Sequence, residues 1–375
     1  MTRYVNLMPG DPVPWFALPS GENPRYVLDT TAGRYIVLCF FVTAADPTSR
    51  EALSAVHDAR SLFDDARACF FGISNDQTDQ TNGRIANSLP GLRFFWDFGN
   101  DVAKKYGAAP DDSNGKVDSD AWRRFWLVLD PTMRILKVVP FAANDSGAGE
   151  VIDYLKSLPP PEQFCGFDVQ APVLVLPQVF EPEFCEQLIA LYDKDGGEES
   201  GFMREVEGKT VMLQDHKHKR RRDYGIEDKT VIQAIQSRII RRVVPEIMKV
   251  HQFQVTRMER YVVACYAAED GAHFKPHRDN TTSGTAHRRF AVSINLNSAF
   301  EGGEVGFPEY GPRTYKAPAG GAVVFSCSLL HRVTPVTEGR RYAFLPFLYD
   351  DAAARLREEN VKHLGEGVAK YKMGS

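Results

Sequence analysis

The chain has 375 residues, of which 43% are hydrophobic and 25% charged, as in an ordinary globular protein of about two domains. Its net charge of −4 disfavours a nucleic-acid surface. It contains neither a signal-like N-terminus nor a run of 18 apolar residues, which excludes a predicted membrane span. Six cysteines are scattered singly, without metal-binding spacing. We therefore expect a cytoplasmic protein with reduced cysteines and neither membrane nor nucleic-acid partners.

The first 155 or so residues alternate between strand and helix patterns, which predicts an α/β sheet domain. Residues 34–42 form a continuous apolar run, typical of a central buried strand. Residues 49–66 follow with helical spacing of their apolar side chains. Three further strands are predicted at residues 69–74, 125–130 and 133–141.

Three stretches of this region carry a family resemblance: GDPVPWFAL at 10–18, and residues 92–108 and 124–131. They resemble the peroxiredoxin-like members of the thioredoxin fold. That family places a Pro, a Thr and a reactive Cys after the central strand, whereas this chain has Val42 near the proline position and Asp46 and Ser49 at the other two.

Peroxide reduction requires a thiolate, so the resemblance implies a fold without its chemistry. Arg124 matches the family's active-site arginine, and Cys39 lies inside the buried strand, where burial raises the pKa of a thiol. We expect residues 1–158 to form a redox-inactive domain retained for assembly or substrate capture. Because peroxiredoxin relatives self-associate, the resemblance also implies that the protein forms a homodimer through this domain.

A proline-rich linker is predicted at residues 159–171, where three consecutive prolines stop the preceding helix. A strand and then a helix beginning near Pro182 follow it. A second helical pattern runs over residues 228–253, and Pro245 should kink or split it. Residues 351–375 are predicted to be a helical tail with a frayed end.

Between the two helices lies a basic run from Lys217 to Arg222. Such a run is either a solvated loop face or a surface that contacts an acidic substrate by charge complementarity, and the sequence leaves both interpretations open. His216 and His218 flank its start without an acidic or cysteine partner at ligand spacing, so we predict that neither binds a metal.

From Val255 onward, short apolar stretches separated by Gly, Pro and Asn turns predict an antiparallel sandwich or barrel. His277 and Asp279 are two residues apart, so both point to one face of an extended strand, and His331 ends another apolar run. Two imidazoles and one carboxylate form the ligand set of non-haem Fe(II) oxygenases. Arg341, ten residues after His331, offers a bidentate fork to a carboxylate.

Three motifs carry a second resemblance: His-x-Asp at 277–279, GGE at 302–304, and HRVTPVTEGRR at 331–341. Over residues 172–350 the chain resembles the 2-oxoglutarate- and Fe(II)-dependent dioxygenases of the prolyl 4-hydroxylase-like branch. The resemblance implies a double-stranded β-helix (jelly roll) with flanking helices.

The same resemblance assigns roles to individual residues. His277, Asp279 and His331 would hold Fe(II), and Arg341 would bind the distal carboxylate of 2-oxoglutarate. Tyr266 and Asn295 fall where relatives place polar groups near this co-substrate. Arg340 leaves a one-residue ambiguity, which the family's ten-residue spacing resolves in favour of Arg341.

The function expected from this resemblance is hydroxylation of a C–H bond in a protein residue of prolyl type or in an amino-acid-like small molecule. Fe(II), 2-oxoglutarate and dioxygen would take part, with ascorbate as a reductant. The retained carboxylate of Asp279 argues against halogenation. Two alternatives stay open: a non-catalytic scaffold and a thiol peroxidase-type protein.

Overall fold

A computed structural model of the chain describes residues 3–111, 117–365 and 368. It divides into two compact units. The first unit comprises Met1–Gln170 and Pro308–Pro312, and the second comprises Ala171–Phe307 and Arg313–Ser375. The domain limits predicted at residues 158, 172 and 350 stay predictions.

The first unit is an α/β domain around one five-stranded sheet with the strand order β5-β4-β3-β6-β7. The pairs β3–β4 and β4–β5 are parallel, and the other two are antiparallel. This mixed sheet confirms the predicted thioredoxin-like class. The strands are β1 (Ala17–Ser20), β2 (Asn23–Val27), β3 (Tyr35–Val42), β4 (Ala68–Ser74), β5 (Leu92–Trp96), β6 (Phe125–Leu129) and β7 (Ile135–Pro140), and the helices are α1 (Pro47–Asp58), α2 (Gln77–Thr81), α3 (Asp101–Tyr106) and α4 (Ala148–Ser157).

The central strand β3 is apolar and buried along almost its whole length, because helices cover a parallel sheet on both faces. Helix α1 follows it but ends at Asp58, so the predicted continuation of the helix to residue 66 is wrong. Leu62 lies in a separate short 3-10 turn and Phe63 directly after it, and Phe63 still reaches the core. Apolar spacing therefore continued past the true end of the helix.

Among its described residues, the second unit contains two large antiparallel sheets, one separate two-stranded hairpin and four α-helices. Its described strands are β8 (Leu174–Leu176), β9 (Glu198–Glu199), β10 (Phe202–Val206), β11 (Lys209–Leu213), β12 (Lys219–Arg220), β13 (Arg222–Gly225), β14 (Arg257–Glu259), β15 (Val262–Ala267), β16 (His273–His277), β17 (Phe290–Asn295), β18 (Phe300–Gly302), β19 (Val305–Gly306), β20 (Thr314–Tyr315), β21 (Ala322–Ser326), β22 (His331–Val333), β23 (Val336–Phe344) and β24 (Phe347–Tyr349). Strands β10 and β11 pair with each other as a separate hairpin.

Between β15 and β23 the chain passes repeatedly from one sheet to the other, with β15, β17, β21 and β23 in the larger sheet and β16, β19, β20 and β22 in the smaller, as is typical of a jelly roll. The minor sheet has the order β12-β16-β22-β19-β20, and the major sheet contains β17, β23 and β15 together with β13 and β21. One apolar cluster joins Tyr266 of the major sheet with Val333 of the minor sheet. The two sheets therefore pack face to face, and the predicted fold class is confirmed.

Four helices flank this jelly roll: α5 (Pro182–Asp195), α6 (Lys229–Arg242), α7 (Val244–His251) and α8 (Asp351–Glu359). Pro182 occupies the first turn of α5, as predicted. The predicted break at Pro245 is also confirmed, because α6 ends at Arg242 and α7 starts at Val244. The predicted tail contains α8, and its residues 366–367 and 369–375 lie outside the described residues. Within the part of the chain that the structure describes, none of the helices combines the length and apolar character needed to cross a membrane.

Gly320 lies in the turn that precedes β21 of the major sheet. Its carbonyl accepts the amides of Val179 and Phe180, and its own amide donates to Asn295. Its φ of +75° is left-handed, and a Cβ there would lie 2.2 Å from the carbonyl oxygen of Phe180. Both the left-handed backbone conformation and the lack of room for a Cβ require glycine at this position.

We predict that Gly320→Ala lowers the stability of the second unit more than Gly208→Ala does. Gly208 also has positive φ, +72°, but a Cβ there meets no atom within 4 Å. Left-handed strain of about 1–2 kcal/mol is common to both substitutions, and only Gly320→Ala adds a backbone collision. Urea unfolding followed by fluorescence measures the difference, and equal shifts of the midpoint would contradict it.

Candidate metal centre

Two neighbouring strands of the minor sheet bring the candidate ligands together. His277 ends β16, His331 begins β22, and the two residues are directly opposed across the antiparallel pair. Directly opposed residues project to the same face of a sheet, and their ring centroids are 4.2 Å apart. Asp279 follows β16 by two residues and places its carboxylate oxygens 3.6 Å and 3.3 Å from Nε2 of His277 and His331.

Backbone carbonyls fix the orientation of both imidazoles. Nδ1 of His277 lies 2.8 Å from the carbonyl oxygen of Lys275, and Nδ1 of His331 lies 3.0 Å from that of Leu329. A carbonyl oxygen only accepts, so each Nδ1 carries the hydrogen and each Nε2 keeps its lone pair. Both lone pairs are free on the side of Asp279, which is how metal-binding histidines are oriented.

One potential ligand atom from each of the three residues lies within 4.8 Å of the other two. Burial, followed by the neighbouring His331, lowers the pKa of His277 well below its ordinary value, so this imidazole is neutral and able to ligate. The donor set of two imidazoles and one carboxylate fits Fe(II) and leaves coordination positions open for further ligands.

Arg341 projects from β23 of the major sheet and is only 2% exposed. Its Nε donates to Oδ1 of Asn295 at 2.9 Å, and its Nη2 donates to Oγ of Ser293 at 2.7 Å. Its Nη1 is buried without a hydrogen-bond partner among the described residues. Burial lowers the pKa of Arg341 to about 10. A buried guanidinium with a free donor and neutral partners is suited to an anionic ligand.

The register of β23 separates Arg341 from its neighbour Arg340. Arg341 opposes Tyr266 and Arg340 opposes Ala267 on β15, so their side chains leave opposite faces of the sheet. Arg340 is more than half exposed and forms an ion pair with Glu269. The buried position inside the jelly roll thus belongs to Arg341.

Tyr266 and Asn295, the two other predicted co-substrate residues, both lie beside Arg341. Asn295 positions its guanidinium and is itself held by a hydrogen bond from Nδ2 to the carbonyl of Ala317. The guanidinium carbon of Arg341 is 5.3 Å from the ring centroid of Tyr266. The hydroxyl of Tyr266 accepts a hydrogen bond of 3.1 Å from Nη1 of Arg221.

Arg221 was not among the predicted site residues, because it belongs to the basic run that was open to a solvated interpretation. It is buried, and its Nε and Nη2 donate to the two carboxylate oxygens of Asp223, each at 2.6 Å. Lys219 is also buried, whereas Lys217, Arg220 and Arg222 are exposed. The solvated interpretation is therefore wrong for Lys219 and Arg221. Buried and exposed residues alternate from Lys219 to Arg222, as they do along a strand with one buried face. Treating this run as a strand would have predicted the burial of alternate residues.

The two histidines predicted not to bind metal lie outside the three-residue cluster found among the described residues. His216 is exposed and contacts Glu199. His218 packs between Phe202 and Phe274, with ring centroids 4.4 Å and 5.6 Å away. Burial lowers the pKa of His218 to about 4.

In the first unit, Ser49 stands at the position of the family's reactive cysteine, next to an ion pair between Asp46 and Arg124. Asp46 caps α1 by accepting from the amide of Ser49, and it contacts Arg124. Burial alone would raise the pKa of Asp46, but the Ser49 amide and Arg124 hold it below its ordinary value. The hydroxyl of Ser49 donates to the carbonyl of Phe41, and burial raises the pKa of Cys39 well above that of an ordinary thiol.

Both units match known families. Residues 261–349 match the 2OG-Fe(II) oxygenase superfamily, and residues 9–138 match the AhpC/TSA family. Each match covers less than half of the chain. The second unit is called the oxygenase unit below and the first the AhpC/TSA unit. Members of the oxygenase superfamily use Fe(II), 2-oxoglutarate and dioxygen.

Among curated proteins, the oxygenase unit is similar to PKHD-type hydroxylases. One from Hyphomonas neptunium is 31% identical over 111 residues, which is 27% of this chain and 50% of that protein. One from Bordetella pertussis is 43% identical over 82 residues, 20% of this chain and 36% of that protein. The chain thus spans half or less of the length of these relatives.

Among solved structures, a prolyl hydroxylase of Trichoplax adhaerens in complex with a hypoxia-inducible-factor peptide is 15% identical. The match has a TM-score of 0.40 and covers 49% of this chain and 86% of that chain. A peroxidoxin of Mycobacterium tuberculosis is 20% identical with a TM-score of 0.34, covering 41% of this chain and 99% of that chain.

We predict that the AhpC/TSA unit shows no thiol-dependent peroxidase activity. Ser49 cannot act as the nucleophile, and the thiol of Cys39 is buried and protonated at neutral pH. Peroxide consumption in the presence of dithiothreitol should stay at the buffer rate for the parent protein and for Cys39→Ser alike. Turnover that Cys39→Ser abolishes would contradict the prediction.

Proposed function

We propose that the chain is a 2-oxoglutarate- and Fe(II)-dependent hydroxylase. The observation that carries this proposal is the pair of opposed histidines whose free Nε2 atoms face the Asp279 carboxylate. The buried free donor of Arg341 on the facing sheet supports it independently. Together they offer a metal position and an anion position inside one jelly roll.

His277, Asp279 and His331 would hold Fe(II), which, with 2-oxoglutarate and dioxygen bound, supplies oxidative decarboxylation coupled to C–H hydroxylation. Arg341 would bind the distal carboxylate through Nη1, while Asn295 and Ser293 keep the guanidinium in place. The surrounding apolar cluster excludes water, which strengthens these charged contacts.

Tyr266 would contact the same co-substrate from β15. Its hydroxyl is already oriented by Arg221, which is in turn held by both oxygens of Asp223. The phenol can donate its hydrogen to a carboxylate oxygen while it accepts from Arg221. Tyr266, Arg221 and Asp223 thus form a connected hydrogen-bond network beside the proposed co-substrate position.

For the primary substrate we propose a protein residue of prolyl type or an amino-acid-like small molecule, with ascorbate as an external reductant. The support is the similarity of the oxygenase unit to proteins titled PKHD-type hydroxylases. Retention of Asp279 in the ligand set supports hydroxylation over halogenation.

For the AhpC/TSA unit we propose assembly rather than thiol chemistry, as a homodimer of a cytoplasmic protein. An intact five-stranded sheet around a site occupied by Asp46 and Arg124 supports a structural role. Six free cysteines, five of them buried, are in keeping with a reducing compartment. A monomer mass in analytical ultracentrifugation of the full chain at micromolar concentration would refute the dimer.

We predict that substituting any one of His277, Asp279 and His331 by Ala abolishes Fe(II)-dependent conversion of 2-oxoglutarate to succinate. Each residue supplies one of three protein ligands, so the metal affinity should also fall. His273→Ala is the matched control, because His273 lies on the same strand but outside the cluster of candidate ligands. Metal content and succinate formation are measured together, and full activity in any triad variant would overturn the assignment.

We predict that Arg341→Ala strongly raises the 2-oxoglutarate concentration needed for half-maximal turnover. Loss of one partner from a buried charged pair costs about 2–5 kcal/mol. Arg340→Ala should change this concentration little, because Arg340 is exposed and paired with Glu269. Titration of succinate formation against 2-oxoglutarate distinguishes the two arginines, and a larger effect at Arg340 would contradict the assignment.

A further inference from the structure

A second buried cation lies on the metal-binding face of the minor sheet. Lys219 is 4% exposed and directly opposes Phe274 across the pairing of β12 with β16. Its Nζ is 5.2 Å from the ring centroid of Phe274, and that ring stacks on His277 with centroids 3.4 Å apart. Phe274 thus bridges the ammonium of Lys219 and the imidazole of a metal ligand.

Among the described residues, Lys219 has only part of its hydrogen bonds satisfied and takes part in no direct ion pair. Nζ donates to Oγ of Ser200 at 2.7 Å and to the carbonyl of Gly201, and both acceptors are neutral. An ammonium has three donors, so one is left over. Among the described residues, no carboxylate lies within ion-pair distance of Lys219. Asp223 instead pairs with Arg221 and Arg260.

A buried ammonium without a counter-ion is unfavourable unless an anion joins it. Arg341 faces its own anion position from the major sheet, whereas Lys219 belongs to the minor sheet beside His277. The two buried cations therefore lie on different sheets, and only Lys219 contacts a ring that stacks on a candidate metal ligand. A single distal carboxylate at Arg341 leaves the second position without an anion.

We propose that Lys219 binds a carboxylate group beside the metal cluster. This inference rests on the proposed function. The carboxylate has two potential sources: the 2-oxo acid end of 2-oxoglutarate, or an acidic side chain of the hydroxylated substrate. In the second case the enzyme selects substrates that carry a carboxylate close to the oxidised carbon.

The test compares Lys219→Met with Lys217→Met in the full-length protein. Methionine keeps the length and apolar stem of lysine without its charge, and Lys217 is an exposed lysine of the same segment. Lys219→Gln removes the charge but can retain a polar contact to Ser200. It replaces Lys219→Met in the test if the methionine variant has a lowered thermal midpoint of unfolding. Metal affinity is measured in the same samples.

The first arm measures binding of 2-oxoglutarate and of pyruvate to the metal-loaded protein by calorimetry. Pyruvate has a 2-oxo acid end but no distal carboxylate. If Lys219 binds the 2-oxo acid end, the variant weakens both ligands by about tenfold or more, as expected for a charge-assisted contact. That result supports the proposal and assigns the carboxylate to the co-substrate.

The second arm measures succinate formation stimulated by short proline peptides with Glu or Gln beside the proline, and by free glutamate or glutamine. A preference for the acidic member that disappears in the Lys219 variant supports the proposal and assigns the carboxylate to the substrate. Binding constants and preferences indistinguishable from those of Lys217→Met in both arms overturn it. Failure of the parent protein to bind metal or turn over 2-oxoglutarate refutes the proposed function instead.

Discussion

The pairing of β16 with β22 is the interaction on which the candidate site depends. It sets His277 against His331, and a shift of one residue in either strand would turn one imidazole to the opposite face. The pairing also brings Asp279 into position, since its amide donates to the carbonyl of Cys327 in the loop before β22. Both imidazoles are oriented by their own strands, through carbonyls two residues before each histidine.

In its interior the oxygenase unit concentrates buried positive charge. Arg341, Lys219 and Arg221 are all buried, and of the three only Arg221 is neutralised by a carboxylate, that of Asp223. The chain crosses from the minor sheet to the major sheet at Arg221, between β12 and β13. One short basic segment thus contributes to both walls of the site. The interior is electrostatically incomplete without anions.

Sequence alone predicted the features that depend on local pattern. The apolar run of β3, the split helix at Pro245 and the spacing of His277 and Asp279 are each set within a few residues. The inward position of Arg341 followed from family spacing, and the register of β23 agrees with it.

What the sequence could not provide depends on contacts between distant strands. Lys219 and Arg221 belong to a run of basic residues, and such runs are usually solvated, so their burial required knowledge of β12 and β13. The ion pair of Arg221 with Asp223 was hidden for the same reason. Helix α1 ended early because Leu62 and Phe63 keep the apolar spacing in non-helical backbone.

The Asp46–Arg124 pair in the AhpC/TSA unit has an evolutionary consequence. A single change of Ser49 to cysteine would place a thiol next to the carboxylate of Asp46, whose negative charge opposes formation of a thiolate. Nη1 of Arg124 contacts both the carboxylate of Asp46 and, at 3.5 Å, the hydroxyl of Ser49, so a thiolate at position 49 would compete with Asp46 for the same guanidinium. We therefore expect a thiol at position 49 to become more reactive when Asp46 is replaced as well. The negative charge of Asp46 thus opposes thiolate chemistry at position 49 even if a cysteine returns there.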